Sequence, residues 1–185
     1  MSIIKSVFAL FALLFSLAVT AQTPVNPIVD FYSLSFNTIT GETFKFDKLK
    51  GKKVLIVNTA SKCGYTPQFK ALEELSKQYS DNLVVIGFPS NDFGAQDPGS
   101  NSDIKTFCEE NYGVTFMMME KSSVKGAGKN IVHQWLTDKN KNGWNTNEPS
   151  WNFGKYLIDE KGKLIAFYPS KVKPMDPEIL LNLKK

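Results

Sequence analysis

The chain has only two cysteines, and one of them lies in the stretch NTASKCGYTPQ (residues 58–68). Cys63 follows the apolar run Val54–Val57 and precedes Pro67, where a helical pattern begins. A turn between a buried strand and a helix is a place for chemistry more than for packing. The positive end of a helix favours an anion nearby, and Lys62 adds a charge of the same sign. Both favour the thiolate, the reactive form of cysteine. The plain alternative is a small apolar residue filling a turn, and these features alone leave both open. Two other stretches carry groups suited to a thiolate: FPSNDFGAQDPGS (88–100) with Gln96, and PSWNFGKYL (149–157) with Trp151 and Asn152. Each of the three donates hydrogen bonds through an amide or indole N–H without carrying charge. Gathered around one sulfur, they would stabilise its thiolate and polarise a peroxide oxygen. Taken singly, each reads as ordinary: Gln96 in a solvated loop, Trp151 in the core, Asn152 capping a turn.

Such a gathering depends on the elements. Val54–Val57 and Leu83–Phe88 are short continuous apolar runs, the pattern of strands buried on both faces of a parallel sheet. Between them Phe69, Leu72, Leu75 and Tyr79 recur at helical spacing over 67–80, with Thr66 as N-cap and Pro67 at the first helical position. A right-handed strand–helix–strand unit follows, and it puts residues 88–100 at the same sheet end as Cys63. Phe31–Leu34 and Glu42–Phe46 read as a hairpin around Thr40-Gly41. A second helix is expected over 102–112, with Ile104, Phe107 and Cys108 on one face. A third is expected over 128–137, with Ile131, Val132, Trp135 and Leu136 inward. Residues 153–158 and 164–168 form a second hairpin, and a last short helix follows Pro177. This order predicts an α/β, thioredoxin-like fold: a central mixed sheet flanked by helices, with an N-terminal β-hairpin.

Composition narrows the function. The 185 residues carry a formal net charge of +4, with scattered lysines and no arginine. Nothing in that pattern calls for nucleic acid. An anionic substrate would have to be held by lysine, backbone N–H or neutral groups, since the usual bidentate clamp is missing. Lys5, the apolar run Val7–Val19 and the small residues up to Ala21 form the pattern of a secretory signal peptide. Residues 1–21 are therefore expected to be cleaved and 22–185 to form one domain, exported to a periplasm or secreted. The alternative, an uncleaved anchor, would need roughly 20 apolar residues. His133 is the single histidine; it is expected to be a surface or partly buried residue, and no cluster suggests a metal.

The stretches NTASKCGYTPQ, IGFPSNDFGAQDPGS, FCEENYGVTF and WNFGKYLID together resemble the glutathione peroxidase family, in its cysteine form, over essentially all of 22–185. The resemblance implies a thiol peroxidase without a cofactor. Its peroxidatic residue falls on Cys63, and its partner side chains fall on Gln96, Trp151 and Asn152. By periodicity alone Cys108 is a buried, inert thiol. In the thioredoxin-dependent branch of the family, however, the resolving cysteine falls on Cys108. The implied cycle forms a sulfenic acid at Cys63, a disulfide with Cys108, and recycling by a thioredoxin-like donor. The glutathione-using branch relies largely on basic residues, often arginine, to bind its donor, and this chain has none. Relatives that form tetramers carry an extra loop ahead of the third helix; residues 119–129 are short, which implies a monomer with an open site for hydrogen peroxide and lipid hydroperoxides. Three positions depart from the family pattern: Ser90 where many relatives have cysteine, Met117 where proline is usual, and Asp97 where glutamate is usual. Met117 puts the local backbone in question.

Other classes compete. A thiol–disulfide oxidoreductase on this fold wants Cys-x-x-Cys, but the last position is Thr66. A glutathione-dependent peroxidase would leave Cys108 structural. A binding module stabilised by a Cys63–Cys108 disulfide would keep the pair oxidised, and a redox sensor would need a client protein.

Overall fold

In the computed structural model, residues 25–184 are described. The signal segment expected at 1–21 lies outside them. Strands β1 (Ser35–Asn37) and β2 (Thr43–Lys45) pair as an antiparallel hairpin. Next come β3 (Lys53–Thr59), α1 (Gln68–Gln78), β4 (Leu83–Pro89), α2 (Asn101–Tyr112) and β5 (Met117–Met118). The chain closes with α3 (Ile131–Leu136), α4 (Lys139–Asn142), β6 (Lys155–Ile158), β7 (Leu164–Tyr168) and α5 (Pro177–Leu183). The main sheet has the order β5-β4-β3-β6-β7. β3 is parallel to β4 and antiparallel to β6. This is the mixed, thioredoxin-like arrangement expected.

Both faces of the sheet are covered, which is why its central strands read as unbroken apolar runs. Leu55 and Val57 of β3 pack under α1, α2 and α5 with Phe69, Leu72, Ile104 and Ile179. Val54 and Ile56 point the other way, into a cluster with Phe31, Phe46, Val132, Trp135 and Tyr156. The N-terminal hairpin joins the sheet edge through a bridge between Thr38 and Met119.

Several expectations shift. Phe31–Ser33 is a 3₁₀ turn capped by the Asp30 side chain, not a strand; Phe31 is wholly buried and stacks against Phe46 and Trp135. The strand begins only at Ser35. The third helix is shorter than expected because Asn130 caps it through the His133 N–H. Ile131, read as inward, is 49% exposed, while Val132, Trp135 and Leu136 are buried as expected. His133 is not a surface residue: it is fully buried between the Phe88 and Tyr156 rings. Burial pushes its pKa down to about 3, so it is neutral. Met117, standing where the resemblance expects proline, opens a two-residue edge strand paired with Ile86.

Candidate active site

Three loops meet at one end of the main sheet's strands, and the strand directions explain why. β3 and β4 are parallel, so the segments after Thr59 and Pro89 leave from the same end of the sheet. β6 is antiparallel to β3, with Val57 opposite Lys155, so the segment before Lys155 arrives there too. Cys63, Gln96 and the Trp151-Asn152 pair are carried by these three segments.

Cys63 lies in a tight loop whose hydrogen bonds are local. Its N–H donates to Thr66 Oγ1 at 2.9 Å, and the Thr66 hydroxyl donates to the Ala60 carbonyl at 2.9 Å. Thr66 therefore braces the cysteine loop and does not cap α1, whose N-cap position is Pro67 without a side-chain bond. The Tyr65 N–H points at Cys63 Sγ from 3.4 Å, a donor that sequence reasoning missed because every residue but proline carries one. Cys63 itself is buried, with 8% of the residue exposed.

The loop after β4 docks on this one through main-chain and side-chain bonds. Lys62 N–H donates to the Gln96 carbonyl at 2.9 Å, and Ser61 N–H donates to Asp97 Oδ1 at 3.0 Å. Asn152 is wholly buried and donates through Nδ2 to Gln96 Oε1 at 3.0 Å. That bond fixes the Gln96 amide and leaves its Nε2 without a partner among the described residues. Trp151 is 39% exposed and is no core tryptophan; its ring packs on Phe93, with centroids 6.0 Å apart. Gly94, close to the Trp151 ring and to Gln96, stands at φ +63°, a left-handed conformation that glycine adopts without strain. The structure thus brings Gln96, Trp151 and Asn152 together, and the loop that carries Gln96 docks on the Cys63 loop through Lys62 and Ser61.

Two features hold this gathering and were not read from the sequence. Among the described residues, the non-glycine residues with positive φ are Ala95 (51°) and Phe153 (65°). One precedes Gln96 and the other follows Asn152. Such conformations cost about 1–3 kcal/mol each and persist where surrounding structure enforces them. The enforcement is visible at Phe153: its N–H donates to the Asn58 carbonyl at 2.6 Å, and Asn58 Nδ2 donates to the Trp151 carbonyl at 3.1 Å. The only hint of this in the sequence is Asn58 itself, a polar residue ending an apolar run. From below, the buried Lys155 donates to the carbonyls of Phe153 at 2.8 Å and Val172 at 2.6 Å. Burial pushes its pKa down to about 7.

Cys108 lies on α2, 1% exposed, in the same apolar cluster as Cys63. Both cysteines are free thiols. Burial, with the Asp97 and Glu109 charges, pushes the Cys108 pKa up to about 12. α2 is firmly begun and ended: Ser100 and Asp103 form a capping box, and Gly113 closes the helix in the left-handed conformation. A cleft of about 380 Å³, lined by Ser61, Lys62, Pro98, Ile104 and Phe107, separates the cysteine loop from α2. No group of metal-ligating side chains occurs among the described residues.

Residues 31–137 match the glutathione peroxidase family model. The chain is 48% identical over 158 residues to glutathione peroxidase-like peroxiredoxin 2 of Saccharomyces cerevisiae, covering 84% of this chain and 98% of that one. It is 39% identical over 160 residues to the hydroperoxy fatty acid reductase of Synechocystis, covering 83% and 94%. The crystal structure of Trgpx in its apo form superposes with a TM-score of 0.64 at 34% identity, over 85% of this chain and 97% of that one. The chain therefore belongs to the glutathione peroxidase family of peroxidases.

Proposed function

We propose that the protein reduces hydrogen peroxide and organic hydroperoxides at Cys63, with Cys108 as the resolving thiol and a thioredoxin-like dithiol as electron donor. The observation that supports this reading is the docking of the Gln96 loop on the loop that presents Cys63, with Asn152 bonded to the Gln96 amide. In the first step the Cys63 thiolate attacks the peroxide O–O bond. An S–O bond forms, the O–O bond breaks, and the departing oxygen leaves as water or alcohol after taking a proton. Gln96 Nε2 and Trp151 Nε1, neither with a partner among the described residues, are the donors available to that oxygen. Asn152 serves by holding the Gln96 amide in place. Cys108 then displaces hydroxide from the sulfenic sulfur, and an external dithiol reduces the disulfide by exchange.

Lipid hydroperoxides belong among the substrates. The relative in Synechocystis, a hydroperoxy fatty acid reductase, supports this. So does a second cleft of about 260 Å³ beside the cysteine loop, where Tyr65, Pro67 and Ala71 offer apolar surface and Lys171 and Lys173 offer positive charge. The absence of arginine favours a protein dithiol over glutathione. Export after cleavage at Ala21, and action as a monomer, complete the proposal. A peroxidase assay comparing thioredoxin with glutathione as donor tests it: turnover with thioredoxin that is lost in Cys108→Ser is expected, and equal turnover of that variant would make Cys108 a core thiol.

A further inference from the structure

Asp97 belongs to the site loop but has no part in the steps above. It is wholly buried. Its Oδ1 accepts the Ser61 N–H at 3.0 Å, while its Oδ2 is buried with no hydrogen-bond partner among the described residues. Its own N–H is held by Asn91 Oδ1 at 2.9 Å. The Lys121 ammonium stands near, but it bonds main-chain carbonyls: those of Asp97 and Pro98 at 3.5 Å each, and that of Gly99. It lends charge without occupying the free oxygen. Of the three α2 carboxyls, Asp103 is engaged with Ser100 and Glu109 with Lys105, and Glu110 is exposed to solvent.

This carboxyl stands beside the loop of one sulfur and at the root of the helix that carries the other. Ser61, which it holds, lies two residues before Cys63. The chain leaving Asp97 enters α2 at Asn101, and that helix turns Ile104 and Cys108 to the core. Its charge reaches Cys108, where it adds to the burial that keeps the thiol protonated. Burial also raises the pKa of Asp97 itself, which makes its carboxylate a better proton acceptor. A thiol held protonated in a core cannot attack a sulfenic acid until something accepts its proton.

We propose that Asp97 is the general base of the resolving step, taking the Cys108 proton on its free oxygen as α2 opens. This rests on the reading of Cys63 and Cys108 given above. The step balances without an outside reagent. The S–H proton passes to Asp97 Oδ2, and the Cys108 sulfur pair forms the S–S bond to Cys63. The S–O bond of the sulfenic acid breaks, and the departing hydroxide takes the proton back from Asp97 as water. Cys108 is oxidised and the sulfenic sulfur of Cys63 is reduced.

Asp97→Asn separates this role from the bond to Ser61, because the amide oxygen still accepts that N–H but cannot take a proton. Reduced protein is mixed rapidly with one equivalent of hydrogen peroxide. Sulfenic acid is read by mass after trapping with dimedone, and disulfide by mass after blocking free thiols. In Asp97→Asn, sulfenic acid should form at the wild-type rate and accumulate. Disulfide formation should slow by about 10²- to 10⁴-fold, the range for a lost general base, and lose its acid limb in the pH profile. Asp97→Glu should restore that limb. Disulfide formation at the wild-type rate in Asp97→Asn would overturn the proposal, as would equal slowing of both phases, which would leave Asp97 a clamp only. If Asp97→Asn folds poorly, the wild-type and Asp97→Glu profiles decide: an acid limb in the disulfide phase alone supports the base, and its absence refutes it. A wild-type protein that forms sulfenic acid but never the disulfide overturns both this role and that of Cys108. One that forms no sulfenic acid at Cys63 overturns the reading of the whole site.

Discussion

At Cys63 the expected chemistry depends on neighbours that donate without charge. Cys63→Ser should abolish peroxide turnover while circular dichroism and melting stay as in the parent, because a hydroxyl keeps the size of the side chain but not its nucleophilicity. Asn152→Ala should lower the rate of Cys63 oxidation by about 10²-fold or more, the usual effect of removing one pre-organised donor, since it frees the Gln96 amide to turn. Rapid-mixing measurement of sulfenic acid checks this, and an unchanged rate would remove Asn152 from the site. The residues of the site were legible as types: a lone cysteine on a turn, and amide and indole donors in unusual loops. Their geometry was not. Ala95 and Phe153 adopt positive φ, and neither residue type signals a left-handed backbone. That information lies in Asn58, Lys155 and the strand ends that hold the loops, which are contacts distant in sequence.

Among the elements, α2 is expected to yield as Cys108 reaches Cys63, because Cys108 is buried on a helix capped at both ends and a disulfide needs the Cα atoms within about 7 Å. The capping box makes that opening tunable. Ser100→Ala should weaken the start of α2 by about 0.5–2 kcal/mol, the usual cost of a lost N-cap. Hydrogen exchange over 101–112 should rise, and disulfide formation after peroxide should quicken severalfold while Cys63 oxidation is unchanged. Slower disulfide formation would mean that α2 acts intact. The parallel pair β3 and β4 and the helix between them were plain in the sequence because burial on both faces leaves an unbroken apolar run. The 3₁₀ turn at Phe31–Ser33 was misread as a strand, since a buried aromatic beside polar residues fits either until Asp30 is seen capping it. Thr66 was misread as an N-cap because the same hydroxyl suits a helix start and a turn, and only the position of Ala60 decides between them.

For the whole molecule, two buried groups set opposite slopes of stability against pH. The folded chain releases the Lys155 proton near 7, where the ordinary value is 10.5. Between those values the unfolded chain binds more protons, so stability rises with pH. Cys108 acts in reverse: its pKa moves from 9.0 to about 12 on folding. Above the lower value the unfolded chain loses a proton that the folded chain keeps, and stability falls as pH rises. Urea unfolding should therefore show stability rising from about pH 7 to about pH 9, flat to about pH 10, and falling above that, where buried Tyr156 also keeps a proton that the unfolded chain loses. Lys155→Met should lack the rise, and Cys108→Ser should continue it; a flat profile in the parent would contradict both burials. The two thiols share one apolar cluster, and the central claim is that peroxide joins them. The most direct measurement is the mass of reduced protein after one equivalent of hydrogen peroxide, with the modified residues mapped by proteolysis. The wild type should lose two hydrogens and yield a single peptide pair linking Cys63 to Cys108. Cys108→Ser should gain one oxygen at Cys63, then more as oxidant is added. Oxygen retained at Cys63 in the wild type, or oxidation that begins at Cys108, would contradict the account.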